Sequence, residues 1–170
     1  MNKRTLAIEA LRFIAVFAVV ALACWLAFSA TTLPNEIAAF SANAVLTLFG
    51  KAGALTDVDG VPHLVFSEGT FSRNKVDAEL SALCAGSLEL AVLLGAIAAS
   101  EDRSVRKRAL GCLGAVAFVA IINPARIAFT LLYADSLWLP TIHDVAFRVS
   151  LVVLTVFYYA AWYYWLSTRK

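Results

Sequence analysis

The chain has 170 residues, 61% of them apolar and only 15% charged, with a mean hydropathy of +0.78 and a formal net charge of +2. That composition excludes a disordered or collagen-like chain and is too apolar for a soluble domain of this length. The small positive excess leaves no nucleic-acid footprint; its uneven placement reports membrane orientation instead. The apolar residues fall in uncharged runs long enough to cross a bilayer, so the sequence predicts one all-α integral membrane domain over 1–170, a polytopic bundle of about four transmembrane helices.

In chain order, the uncharged run between Arg12 and Pro34 predicts a first span over 12–31, entering from the cytoplasm behind Lys3, Arg4 and Arg12. The competing reading is a signal peptide cleaved near Ala27-Phe28-Ser29. The run is long for a signal core and more spans follow, which favours a retained helix. Residues 37–50 are apolar but short for a span, and fit an interfacial or re-entrant helix. Residues 51–79 form the one substantial polar region. A turn at Asp57-Val58-Asp59-Gly60, flanked by extended candidates Gly53 to Thr56 and Val61 to Phe66, predicts a small hairpin outside the membrane.

A second span over 80–100 is interrupted by Glu89 and ends at the cluster Arg103, Arg106, Lys107 and Arg108, which marks a cytoplasmic loop. A third runs over 109–134 with Arg126 near its far end, and a fourth over 145–167 ahead of Arg169 and Lys170. Four spans put both termini in the cytoplasm. The outer segments carry Glu36, Asp57, Asp59, Glu68, Asp77 and Glu79, which agrees with that orientation.

Helix rise places three chemically able side chains at one depth. At ~1.5 Å per residue, Arg126 lies about 27 Å beyond Arg108, and Cys84 about 25 Å beyond Glu101. His143 sits in the outer loop where the fourth span begins. A thiol, a guanidinium and an imidazole therefore meet at the outer leaflet. Cys84, Ser87, Ala91, Gly95 and Ala98 share one helical stripe whose small residues mark a packing face, and Asn123, Arg126 and Thr130 share another, beside Pro124. Polar stripes of this kind line bundles or wet cavities, because unpaired polar groups in lipid are costly. Each residue also has a plain reading: a packed cysteine, a snorkelling arginine, a loop histidine. Glu89 points well away from the Cys84 stripe and reads as a structural partner. Arg148, one turn inside His143, reads first as a snorkelling residue and second as a lining residue of the same cleft.

Cys24 and Cys112 lie at other depths and read as packing residues. The chain has no C-x-x-C, no H-E-x-x-H and no G-x-S-x-G. With only His63 and His143 as histidines, no metal site and no cofactor is expected, and His63 reads as a surface residue.

Cys84-Ala85-Gly86 opening a span, Asn123-Pro124-Ala125-Arg126-Ile127 late in the next, and His143-Asp144 before the last resemble the C-x-G, N-x-x-R-I and H-D/E signatures of the exosortase/archaeosortase family. The likeness covers about Gly53 to Leu166 and is nearest to short single-domain, exosortase H-like members. Ala85 stands where Ser or Thr is frequent, and the stretch after Asp144 lacks a common Gly. The resemblance implies a membrane-embedded cysteine transpeptidase in the bacterial inner membrane. Its partners would be exported proteins ending in a short motif, a hydrophobic helix and a basic tail, together with an amine or lipid acceptor. It also implies a catalytic set of Cys84, Arg126 and His143. Asn123, Ser87, Thr130 and Arg148 would support them. A thiolate is the nucleophile in such chemistry, and a fixed cation stabilises an oxyanion well in a low-dielectric cleft. Two alternatives stay open: a non-catalytic assembly or transport subunit held together by these polar residues, and a cysteine protease that only hydrolyses.

Overall fold

The computed structural model describes residues 3–71, 75–81 and 83–166. Helix α1 (Lys3–Ser29) carries no acidic residue in its first turn and no basic residue in its last. Its 27 residues reach about 40 Å at ~1.5 Å per residue. Helix α2 (Leu33–Leu48) opens with Pro34, whose missing N–H is harmless in a first turn. The Thr32 hydroxyl donates to the Glu36 carboxylate at 2.6 Å beside that opening. Ala38, Ala39, Ala42 and Leu46 form the buried stripe of α2, so the segment expected at 37–50 is a helix packed on its neighbours.

Strands β1 (Ala54–Val58), β2 (Val61–Phe66) and β3 (Val76–Glu79) make an antiparallel sheet in the order β1-β2-β3. The first two are joined by Asp59 and Gly60, both with positive φ (54° and 80°), and the Asp57 carboxylate accepts the Gly60 N–H at 2.9 Å. This is the tight two-residue turn that Asp-Gly favours. The hairpin was expected; β3 was not. Pro62, Leu64 and Phe66 alternate inward along β2. Leu64, Phe66 and Leu80 pack with Ala39, Ala42 and Leu46 of α2, and with Ala128 and Leu131 further along the chain. The Asn43 amide fastens the sheet to α2 by donating to the Gly53 carbonyl (3.0 Å) and accepting its N–H (2.8 Å).

Helix α3 (Ser87–Ala99) is shorter than the span expected at 80–100, and its 13 residues cover only about 20 Å. Leu80, the first residue of that run, still belongs to the sheet, since its N–H donates to the Pro62 carbonyl at 3.0 Å. A turn then closes with Cys84 N–H and Ala85 N–H both donating to the Ser81 carbonyl (2.9 and 3.2 Å). Gly86, at φ +77°, is the N-cap of α3. Cys84 therefore stands on a turn before the helix, and the helical stripe drawn through it does not exist.

Helix α4 (Val105–Leu132) has 28 residues and contains Pro124, with Asn123 and Pro124 buried. The last helical run starts earlier than the span expected at 145–167. It comprises α5 (Leu139–Val149), a π-helical turn at Ser150–Leu154, α6 (Thr155–Ala161) and a second π-helical turn at Trp162–Leu166. His143 accordingly sits on α5, not in a loop. The Arg148 side chain lies outside the described residues.

Two helices, Thr5–Ser29 and Val105–Leu132, are long and apolar enough to cross a membrane, and the apolar helices at Ser87–Ala99 and Val152–Tyr164 are shorter. Large apolar side chains stand exposed along α1, α4 and the last run, among them Val19 (68%), Leu113 (67%) and Val156 (62%). Exposed apolar surface of this extent marks an interaction or membrane-facing surface. Helix α3 packs on α1, α4 and α6, while α2 packs on α4 and β2. At the end remote from the sheet, Arg12 pairs with Glu101 (2.8 Å) and Arg108 donates to the Ala98 carbonyl (2.8 Å). There too the Arg103 guanidinium lies 4.1 Å from the centre of the Tyr163 ring, and the Tyr163 hydroxyl donates to Asp102 at 2.6 Å.

Candidate active site

At the sheet end of the bundle, a cleft of about 110 Å³ is lined by Glu79, Leu80, Cys84, Arg126, Thr130 and His143, with Ala78, Ile127 and Leu131 completing its walls. Four structural pieces supply it: β3, the turn before α3, the last third of α4, and the opening of α5. Each is held by its own local chemistry.

The Cys84 turn is the most heavily braced. Its carbonyl accepts from Asn123 Nδ2 at 2.9 Å and from Arg126 Nη2 at 3.3 Å. The Ser81 hydroxyl lies 3.6 Å from Cys84 Sγ, within reach of an O–H···S contact. Gly86 is required twice over. Its backbone is left-handed, and a Cβ there would meet Val119 Cγ1 at 2.9 Å and Asn123 Cγ at 3.1 Å. The C-x-G spacing thus has a physical basis, because the glycine lets the turn lie against the same asparagine that holds the cysteine carbonyl. Cys84 itself is half-buried.

Arg126 is fixed by α4 and by three partners. Its Nη2 donates to Asn123 Oδ1 at 2.6 Å as well as to the Cys84 carbonyl, and its Nη1 pairs with Glu89 Oε1 at 2.6 Å. Asn123 and Arg126 are one turn apart on α4, so they share a face, and both reach the turn from the same side. Their elevation above Arg108 is the one counted along the sequence, since α4 is helical throughout. Cys84 reaches that level differently, by a shorter helix and a non-helical turn. The guanidinium contacts the Cys84 peptide carbonyl, so its bonds organise the turn while its charge forms part of the cleft wall.

The structure therefore brings Cys84, Arg126, Thr130 and His143 to one cleft. Thr130 donates to the Arg126 carbonyl at 3.1 Å, one turn back along α4. Asn123 is buried behind the cleft, at 6% exposure. Ser87, expected beside Cys84, is buried in the first turn of α3 and lines a separate apolar groove with Phe28, Pro34 and Val116. Ser87 is removed from the cleft because the stripe that linked it to Cys84 assumed a continuous helix.

Three lining or supporting residues had not been placed at the site. Ser81 closes the turn from three positions upstream, a spacing typical of turn-forming serines. Glu79 ends β3, and its signal was the alternation Val76-Asp77-Ala78-Glu79. Glu89 was expected to be a structural partner directed away from Cys84; it is 8% exposed and its partner is Arg126. No group of three or more metal-ligating side chains occurs among the described residues. The chain matches no family model, no curated protein and no solved structure.

Proposed function

We propose that this chain is a membrane-embedded cysteine transpeptidase of the exosortase/archaeosortase kind. It removes the C-terminal sorting tails of exported proteins and transfers the trimmed proteins to an amine-bearing acceptor. The observation that carries the reading is the shared cleft of Cys84, Arg126 and His143, three residues drawn from separate elements. A scaffold-only role gives no reason for a half-buried thiol to open onto the same space as an imidazole.

In this reading the bundle crosses the bacterial inner membrane with the sheet end outside. The basic loop containing Arg103, Arg106, Lys107 and Arg108 lies in the cytoplasm with both termini. The Cys84 thiolate attacks the scissile carbonyl carbon, and the carbonyl electrons move onto its oxygen. The Arg126 charge at the cleft wall stabilises that oxyanion. Collapse breaks the C–N bond and leaves a thioester, while His143 passes the thiol proton to the departing amine. An acceptor amine then attacks the thioester with His143 as its base, an amide forms, and the Cys84 thiolate is released. A site within the membrane limits competing attack by water.

The test is co-expression with a protein that ends in a motif, an apolar helix and a basic tail. Cys84→Ala should insert normally and abolish processing, and unchanged processing would refute the reading. Mass spectrometry of the processed terminus separates transfer from hydrolysis: an amide-linked acceptor supports the transpeptidase, and a free carboxylate at the cut rules it out in favour of a protease.

A further inference from the structure

We infer that Glu89 is a positioning residue of the Cys84 site, the counter-ion that holds Arg126 against the Cys84 turn and tempers the field the guanidinium exerts there. The inference rests on the reading of Cys84 as the reactive thiol. Glu89 lies in the first turn of α3, three residues past the Gly86 N-cap, and is 8% exposed. A carboxylate at that depth in an apolar helix is costly unless paired, and its 2.6 Å bond to Arg126 Nη1 supplies the pairing. The same guanidinium reaches the Cys84 carbonyl through Nη2 at 3.3 Å. Glu89, Arg126 and the cysteine turn are thus linked in series, so the anion acts on the thiol through the arginine.

The second carboxylate oxygen, Glu89 Oε2, is buried and has no hydrogen-bond partner among the described residues. It borders a cavity of about 20 Å³ that is also lined by Gly86, Asn123, Arg126, Leu154 and Thr155. That volume accommodates about one water. Thr155 follows directly on the π-helical turn at Ser150–Leu154, an irregularity often found where a helix bends around a functional group. The cavity thus gives one water room to reach Glu89 Oε2.

Among the described residues, the charged and titratable groups facing the thiol cleft are Arg126 from α4, His143 from α5 and Glu79 from β3, with Glu89 one step behind Arg126. Arg126 is the nearer member of its pair to the Cys84 turn. Removing the anion while keeping an acceptor for Nη1 leaves the guanidinium charge uncompensated. At the effective dielectric of a partly wet site, one such charge changes an ionisation equilibrium about three- to tenfold.

The experiment is alkylation of Cys84 by a small water-soluble maleimide, followed from pH 6 to pH 10 in the detergent-solubilised full chain carrying Cys24→Ala and Cys112→Ala. Glu89→Gln should raise the rate at pH 7 about three- to tenfold and move the whole curve toward lower pH without changing its plateau. Glu89→Asp, which keeps the charge, should return to the parent curve. A Glu89→Gln curve that superimposes on the parent, or Asp and Gln variants that shift alike, would overturn the inference. If Glu89→Gln does not fold, the neutral pair Glu89→Gln with Arg126→Gln serves: it should alkylate more slowly than the parent at pH 7, and an equal or faster rate would overturn the inference. The readout involves no sorting-tail substrate, so this result and the processing result of Cys84→Ala fail independently.

Discussion

Gly86→Ala separates backbone strain from packing at the candidate site. Gly86 has φ +77°, and a new Cβ would stand 2.9 Å from Val119 Cγ1 and 3.1 Å from Asn123 Cγ. The left-handed backbone alone costs about 1–2 kcal/mol for a non-glycine residue. Forcing a methyl group into packed surroundings adds about 1–3 kcal/mol. Gly60 is the internal control. Its φ is +80° and a Cβ there would meet nothing within 4 Å, so Gly60→Ala should lose only the backbone contribution. The difference between the two variants, about 1–3 kcal/mol, is thus the packing cost at Gly86. Unfolding in mild detergent, followed by near-ultraviolet dichroism, measures both variants against the parent, and a chain of this size shifts by about 2–4 °C per kcal/mol. Equal losses for Gly86→Ala and Gly60→Ala would refute the claim that the cysteine turn is pressed against α4.

Asn123→Ala removes the 2.9 Å bond to the Cys84 carbonyl and the 2.6 Å bond from Arg126, and should cost about 1–3 kcal/mol in the same unfolding assay. Arg126→Met strands the Glu89 carboxylate in the bundle and should cost about 3–5 kcal/mol, most of it recovered when Glu89→Leu is added; a double variant no better than the single would contradict the buried pair. Leu64→Ala, at a fully buried position between the sheet and the helices, should cost about 2–5 kcal/mol and raise proteolysis of the sheet.

Hydropathy alone located α1 and α4, because an uncharged apolar run of that length has few other outcomes, and Asp59-Gly60 announced the hairpin. The start of α3 was illegible for a specific reason. Leu80, Ala82, Leu83, Cys84 and Ala85 continue the apolar run without a break, so hydropathy cannot see that Ser81 closes a turn and Gly86 adopts positive φ. His143 was placed in the outer loop ahead of the fourth apolar run, whereas that segment is already helical from Leu139, with Pro140 at the second position, where a helix start tolerates it. Strand β3 is four residues of alternating burial, too short to stand out. The residues of the site were legible as types at a depth, namely Cys84, Arg126 and His143. Their connections were not. The Glu89 pair and the double capture of the Cys84 carbonyl depend on how α3 and α4 lie together, and Ser87 was misplaced by projecting helical geometry through a turn. The sheet's contribution of Glu79 to the cleft likewise required the β2–β3 pairing, in which His63 stands opposite Glu79.

The most direct test of the account is to trap the covalent intermediate. The parent chain supplied with a tailed substrate in acceptor-depleted membranes should accumulate a hydroxylamine-sensitive adduct on the peptide containing Cys84, identified by mass spectrometry and absent when Cys84 is replaced by alanine. Processing that proceeds in the Cys84→Ala chain, or an adduct mapped to Cys24 or Cys112, would contradict it.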